Sequence, residues 1–439
     1  LLCASDLHLG RRPTGVPDHL GLDPARLATT TVWDALVELA IAEQVDAVLL
    51  AGNVIDRENR RFEPLGPFER GLTELGRNTI PVYAIAGNHD FDVLRRIAGN
   101  DRSGTLRVVG SDGHWEQVHL GADDDTPVTL VAWSASAQSH PGTPLAGFPA
   151  PEHHDQPVIA MLHASIAGER PEPGDFAPVT RNDLGGRSVD LWIAGHGHTP
   201  LFDTDDLVPL LKPGSGSPLG SSERGPRGAW IVDVEQTDEA RTVEARLIPL
   251  APVRFTDVTL DVTGIVDIGT VETGLVRAIH EALITANAED PGGHLVSVGC
   301  NLTVRGRTLL HAAIPELVHD LARTLDVEDR SVIAAITSVT IDTQPDIDLE
   351  PLVGRPDPVG EVARLLQSLD GSSDGFDDLA PAHQRLLQQT TTRLQAAHRA
   401  RIFASIAGDP EPDVAAAATH LRREGRTVLD ALIGQRGME

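Results

Sequence analysis

The sequence predicts an α/β layered fold, followed by a small α+β unit and a helical C-terminal region. Three observations carry this reading. Short apolar runs alternate with helical patterns through the first half, polar residues suited to metal chemistry stand just after those runs, and the periodicity changes near Pro252 and again after Asp342. At 439 residues the chain exceeds the roughly 250 to 300 at which a single core stops growing. Divisions at 1–250, 251–345 and 346–439 follow from the changes in pattern.

Leu1 to Ser5, Val45 to Leu50, Val82 to Ala86, Val128 to Trp133, Val158 to Leu162 and Asp190 to Ala194 read as strands. Between the first two, Pro24 is placed to start a helix in which Val32, Leu36, Leu39 and Ala40 recur at helical spacing, so the two strands are expected to be parallel. The second unit opens where Val258, Leu260 and Val262 alternate with polar residues as in a half-buried strand. Leu275, Ile279 and Leu283 mark a helix, Leu295 to Val304 and Ser338 to Ile341 strands, and Ile314 to Leu325 another helix. Pro351, Pro356, Pro358 and the stretch from Asp370 to Asp378 look like linker. Beyond them Leu386, Leu387, Leu394, Ile402, Phe403 and Ile406 make one amphipathic pattern, and Leu421, Val428, Leu429 and Leu432 a second. Trp33, Trp133, Trp192 and Trp230 read as core, and Trp115 as exposed.

Composition narrows the classes of function. No apolar run approaches the roughly 20 residues needed to cross a bilayer. Cys3 and Cys300 are the only cysteines, too few and too far apart for a disulfide framework or a thiolate metal site, so the compartment reads as cytoplasm. Leu1 is not an initiator methionine, which leaves room for a short preceding segment. The net charge of −28 repels phosphate at long range and argues against nonspecific nucleic-acid binding. Locally the balance differs, because Arg11, Arg12, Arg57, Arg60, Arg61, Arg95 and Arg96 lie close in sequence to the loops of interest. Aromatic residues are 3% of the chain, which disfavours a base-stacking platform.

Five strings stand in order, each after an apolar run: Asp6-Leu7-His8, Gly52-Asn53-Val54-Ile55-Asp56, Gly87-Asn88-His89-Asp90, His163, and Gly195-His196-Gly197-His198. Ligand sites of open α/β sheets gather at strand C-terminal ends, so five loops can converge on one rim. Imidazole and carboxylate suit manganese, iron or zinc. Any one string is weak evidence; the ordered set is specific.

Together the strings resemble the calcineurin-like metallophosphoesterase signature over about residues 1–215. The resemblance implies a sandwich of two sheets flanked by helices and a centre of two divalent ions, manganese favoured over iron, zinc or magnesium. It assigns Asp6, His8 and His198 to one ion and Asn88, His163 and His196 to the other, with position 53 bridging. It also implies in-line attack on phosphorus by a bridging hydroxide, with His89 beside the phosphate as the catalytic acid or electrostatic stabiliser. Asp56 and Asp90 are expected to order the loops. The departure is Asn53, which stands where the family has a bridging aspartate. A neutral amide removes a negative charge from the pocket, so weaker binding of the second ion and reduced hydrolysis are expected. An introduced substitution, a naturally silent homologue and an altered metal pair all remain open; the other ligands being intact favours the first or the last.

Within the superfamily the chain is most similar to the SbcD-type DNA double-strand-break repair exonuclease subunit. The resemblance rests on Ser5-Asp6-Leu7-His8-Leu9-Gly10, on Lys212-Pro213-Gly214-Ser215, and on an α+β cap after the catalytic domain. It implies DNA as substrate, an SMC-like ATPase partner docking on the C-terminal helices, and a homodimer; Arg11, Arg12, Arg57, Arg60 and Arg61, close in sequence to the site loops, are the candidate DNA contacts. Two other readings stand beside it. One is a small-substrate phosphodiesterase acting on cyclic nucleotides. The other is a silent subunit that holds metal or DNA ends for an ATPase.

Overall fold

The computed structural model describes the chain except for residues 57–62, 121–127, 150–155, 168–174, 205–207, 238–240, 371–375, 377–378, 401–410 and 437–439. It divides into two compact units. One comprises Leu1–Val258, Ile279–Asn301 and Ala322–Ser338; the other comprises Thr259–Ala278, Leu302–Leu321 and Val339–Glu439.

The first unit is built on two six-stranded sheets. One runs Arg241–Pro249, Gly228–Gln236, Leu2–Ala4, Val48–Ala51, Val82–Ile85, Leu106–Val108, and its last four strands are parallel. The other runs Leu201–Asp203, Leu210–Lys212, Leu191–Gly195, Val158–His163, Val128–Trp133, Trp115–Leu120, with the four central strands parallel. Because successive side chains on a strand face opposite ways, the continuous apolar runs serve two cores at once. Leu2, Ala4, Val48 and Leu50 pack with Trp33, Leu36, Phe68 and Leu72 of the helices Thr29–Ala42 and Leu65–Arg77. Cys3, Leu49 and Ile85 face the other way, onto Leu130, Ile159, Met161 and Ile193 of the second sheet. The outer face of that sheet, with Trp133, Leu162 and Trp192, is covered by Phe176 and Leu184. Parallel strands buried on both faces read as unbroken apolar runs, which is why these were legible.

Several expectations shift. The first helix begins at Thr29, not Pro24. The Thr29 hydroxyl instead donates to the carbonyls of His8 and Arg11, both at 3.1 Å, and pins the loop after the first strand. The proline-rich stretch after Asp342 is not plain linker: Glu350–Val353 and Pro358–Asp370 are helical, with Pro358 at the helix start where its missing N–H costs nothing. Strand Val332–Pro345 extends well beyond the expected Ser338 to Ile341. Trp115 is half-buried, donating to the Pro144 carbonyl at 2.9 Å and packing on Phe148 and Trp192.

Strands Val253–Asp261, Ser297–Thr308, Val332–Pro345 and Asp326–Asp329 form a four-stranded sheet in that order. In the second unit, helices Pro358–Asp370, Pro381–His398 and Val414–Arg436 enclose Leu365, Leu369, Leu387, Ala417 and Ala418. Ile402, Phe403 and Ile406, expected to continue the helix that carries Leu386, Leu387 and Leu394, lie outside the described residues. Among the described residues no helix is long and apolar enough to cross a membrane.

Candidate metal centre

Every residue singled out by the five strings sits at or just past the C-terminal end of a parallel strand. Asp6 and His8 follow Leu2–Ala4, Asn53 follows Val48–Ala51, and Asn88 and His89 follow Val82–Ile85; His163 ends its own strand, and His196 and His198 follow Leu191–Gly195. The rim is tight. Asp6, His8, Asn53 and His196 have φ of 47°, 44°, 52° and 84°, in the left-handed region that most side chains avoid. Such conformations persist where the surroundings fix them. Here the Asp6 N–H donates to the Gly52 carbonyl at 3.0 Å and the His8 N–H to the Asn53 carbonyl at 2.9 Å. Gly52 itself has φ 90°, and a Cβ there would stand 2.9 Å from Cγ of His163.

Asp6 is fully buried and ties the two sheets together, its Oδ2 accepting from the His196 N–H at 2.9 Å. Its Oδ1 lies 3.8 Å from Nε2 of His8 and 3.8 Å from Nε2 of His198. Burial alone would raise the Asp6 carboxyl, but His163, His8 and His198 around it hold it below its ordinary value. The imidazoles are aimed by what their other nitrogens meet. Nδ1 of His8 pairs with Asp56 Oδ2 at 3.0 Å, Nδ1 of His163 with the Ala51 carbonyl at 2.9 Å, and Nδ1 of His198 with Glu223 Oε1 at 2.7 Å. In each case Nε2 is left to face the pocket. Such outer partners fix tautomer and orientation in metal sites. Burial depresses His163 to about 4 and also lowers His196, keeping both neutral; His198 is raised because the hydrogen bond to Glu223 and the charges of Asp6 and Glu223 together outweigh burial.

Two groups lay outside the sequence reading. Glu223 accepts from the Ser215 hydroxyl at 2.7 Å and from the Leu219 N–H at 3.1 Å, while buried Arg227 donates to Ser215 Oγ at 2.7 Å and to the His198 carbonyl. Phe176 packs against the rings of His163 and His196. Neither residue adjoins a strand end or a recognisable string, so no local signal marked them. Asp90 accepts from the N–H groups of Gly87 and Val54, each at 2.7 Å, bracing both loops. Burial raises it to about 6 against the opposing effect of those bonds.

Asn53 is the exception in the pattern. Its Oδ1 accepts the His89 N–H at 2.9 Å, and its Nδ2 donates to Asp6 Oδ1 at 3.0 Å and to Asn88 Oδ1 at 3.1 Å. Because a backbone N–H can only donate, this network fixes the orientation of the amide. Asn88 Oδ1 also meets Nε2 of His163 at 3.1 Å. The ring of His163 lies 5.3 Å from that of His196, and the half-exposed His89 ring 5.0 Å from that of His8.

The residues fit one divalent ion in the Asp6, His8 and His198 set. Three ligand atoms lie within 4.8 Å of one another, and Nε2 of His8 is buried with no hydrogen-bond partner, as a ligand nitrogen would be. Between this set and Asn88, His163 and His196 the fit fails at one place, where the amide presents N–H donors instead of an oxygen. As for the arginines, Arg11 turns inward, its Nε 3.2 Å from Asp56 Oδ2. Arg12 is exposed, and Arg57, Arg60 and Arg61 lie outside the described residues.

Two packed sheets that deliver a histidine and aspartate cluster to one rim define a metal-dependent hydrolase type of domain. Residues 1–200 match the calcineurin-like phosphoesterase family, and this part of the chain is a calcineurin-like metallophosphoesterase domain. Among curated proteins, the chain is 26% identical over 256 residues to the uncharacterized metallophosphoesterase YhaO of Bacillus subtilis, a match covering 54% of this chain and 57% of that protein. It is 25% identical over 316 residues to the DNA double-strand break repair protein Mre11 of Aeropyrum pernix, covering 66% of this chain and 70% of that protein. The chain thus spans little more than half the length of the first of these. Among solved structures, a dimetal phosphatase from Danio rerio aligns with a TM-score of 0.36 and 15% identity over 56% of this chain and 95% of that one.

Proposed function

We propose that the chain is a metal-dependent phosphodiesterase of the DNA-repair nuclease type, with hydrolysis weakened by Asn53. The observation that carries the phosphoesterase reading is the set of imidazoles anchored through Nδ1, with Nε2 of His8 and His198 turned to buried Asp6 and Nε2 of His163 to Asn88. Asp6, His8 and His198 would hold one ion; Asn88, His163 and His196 are the residues for a second. Bound ions would supply Lewis acidity and lower the pKa of water to about 7. The chain's own groups do the rest. Asp56 and Glu223 hold the His8 and His198 rings in register, Asp90 fixes the loops of Asn53 and Asn88, and Phe176 walls one side against water. His89, half-exposed at the mouth with its backbone held by Asn53, is placed to protonate a leaving oxygen or to steady charge on the phosphate.

The similarity to the Aeropyrum DNA double-strand break repair protein supports DNA as the substrate, and an SMC-like ATPase is the partner proposed with it. In this reading residues 251–345 act as a cap and 346–439 as the docking region, where Leu386, Val414, Val428 and Ile433 leave apolar surface exposed. A homodimer in the cytoplasm completes the proposal. The donor face of Asn53 favours a second reading, a subunit that binds metal or DNA ends without cutting. The test is manganese-dependent cleavage of linear double-stranded and single-stranded DNA by this protein and by Asn53→Asp, with bis-p-nitrophenyl phosphate as control. DNA cleavage by the Asp form supports the nuclease. Cleavage of the small ester alone points to a small-substrate phosphodiesterase, and no cleavage by either form supports the silent subunit.

A further inference from the structure

The second compact unit contains a cavity of about 510 Å³ whose wall includes none of the metal-centre residues. Thr419, Arg422 and Arg426 line it from one face of helix Val414–Arg436, where they recur at i, i+3 and i+7. Arg307 and Gln344 enter from strands Ser297–Thr308 and Val332–Pro345, and Asp370 from the last residue of helix Pro358–Asp370. One carboxylate faces three guanidiniums. Asp370 is shared, its Oδ2 accepting from Nη2 of Arg426 at 2.7 Å and its Oδ1 lying 3.2 Å from Nε of Arg422. Arg422 also donates to the Leu369 carbonyl. Arg426 is only 4% exposed, and the Arg307 guanidinium has no hydrogen-bond or ion-pair partner among the described residues.

A cationic wall of this kind is costly in isolation, since buried charge needs compensation. It is also out of keeping with a chain of net charge −28. An anion would complete it. Guanidinium forks pair with phosphate oxygens in bidentate fashion, while the Thr419 hydroxyl and Gln344 amide add neutral donors. The volume falls within the roughly 300 to 1,000 Å³ of small-ligand sites, larger than a single phosphate needs. No aromatic side chain lines the cavity, so phosphates and not bases would be recognised. A neighbouring cavity of about 300 Å³ shares Arg307 and Gln344, and there Asp261 and Asp342 balance Arg305 and Arg307. The excess of positive charge lies in the first.

We propose that this cavity binds consecutive phosphate groups, carried either by a free oligophosphate or by a nucleic-acid backbone. The site stands independently of the metal centre, and its test is done in EDTA. The full chain is titrated calorimetrically with sodium tripolyphosphate and with a short oligothymidylate, alongside Arg307→Ala and Arg422→Ala. Arg307 is exposed and unpaired, so its replacement leaves the fold intact; circular dichroism checks the Arg422 variant. Saturable binding by the parent, weakened about tenfold or more in both variants, is expected from losing one charge-assisted contact. Displacement of tripolyphosphate by the oligothymidylate would assign the site to a nucleic-acid backbone, and binding of tripolyphosphate alone to a free oligophosphate. The proposal is overturned if neither probe binds, or if both variants bind as the parent does.

Discussion

Asn53→Asp removes two N–H donors from the floor of the pocket and sets a carboxylate where they were. In the parent, Nδ2 bridges Asp6 Oδ1 at 3.0 Å and Asn88 Oδ1 at 3.1 Å. Without ions, an aspartate oxygen in the same place faces two acceptors and a fully buried, ionised Asp6. At about 3 Å and an effective dielectric of about 20, that repulsion is roughly 5 kcal/mol. Proton uptake sets a ceiling, since lifting one carboxyl from about 4 to about 7 costs about 4 kcal/mol. A loss of about 4 kcal/mol lowers the melting temperature of a domain this size by about 8 to 16 °C. Divalent ions reverse the sign, because the added charge then offsets theirs. We therefore expect Asn53→Asp to melt well below the parent in EDTA and to gain more from manganese. After desalting, metal analysis should find no more than one ion per parent chain and a second in the variant. Scanning calorimetry and plasma mass spectrometry measure both. If the variant in EDTA is as stable as the parent, or if the parent retains two ions, the account of Asn53 as a hydrogen-bond bridge is wrong.

Three further outcomes follow from the same geometry. Glu223→Gln keeps the shape beside His198 Nδ1 but loses the charge, so ion affinity measured by titration calorimetry should fall about tenfold, the low end for an outer partner; unchanged affinity would remove Glu223 from the site. Gly52→Ala forces a side chain into the left-handed region and against His163, and urea unfolding should show a loss of at least about 1 to 3 kcal/mol. Burial pushes the thiols of Cys3 and Cys300 up to about 12, so neither should react with Ellman's reagent at neutral pH until the protein is unfolded. Prompt labelling of the native chain would contradict their burial.

The parallel strands and the site residues were legible for one reason: both carry strong local signals. A strand such as Val48–Ala51, buried on both faces, must be apolar throughout, and the residues after it face a crowded rim. Other parts depend on distant partners. The hairpin Gly228–Gln236 with Arg241–Pro249 is half-exposed and mixes Glu244 and Arg246 into its alternation, so nothing in its composition announces a sheet edge. The start of the first helix moved from Pro24 to Thr29 because the Thr29 hydroxyl serves the His8 loop, a tertiary demand. Glu223 was invisible for the same reason: its role comes from a loop returning to His198 across 25 residues, and its neighbours Ser222 and Arg224 carry no pattern.

The pocket also bears on whether a cluster with one altered position still has a use. Nε2 of His8 is buried without a partner, and an unsatisfied buried polar atom costs about 1 to 3 kcal/mol. Three histidines are each tethered through Nδ1 so that Nε2 faces inward, and four residues are held at positive φ to place them. None of this helps the fold by itself; an apolar rim would be cheaper. The arrangement is intelligible if a Lewis acid takes the lone pair of His8. Asn53 then changes how the two halves of the pocket are joined, by hydrogen bonds to Asp6 and Asn88, while leaving the Asp6, His8 and His198 set able to receive an ion.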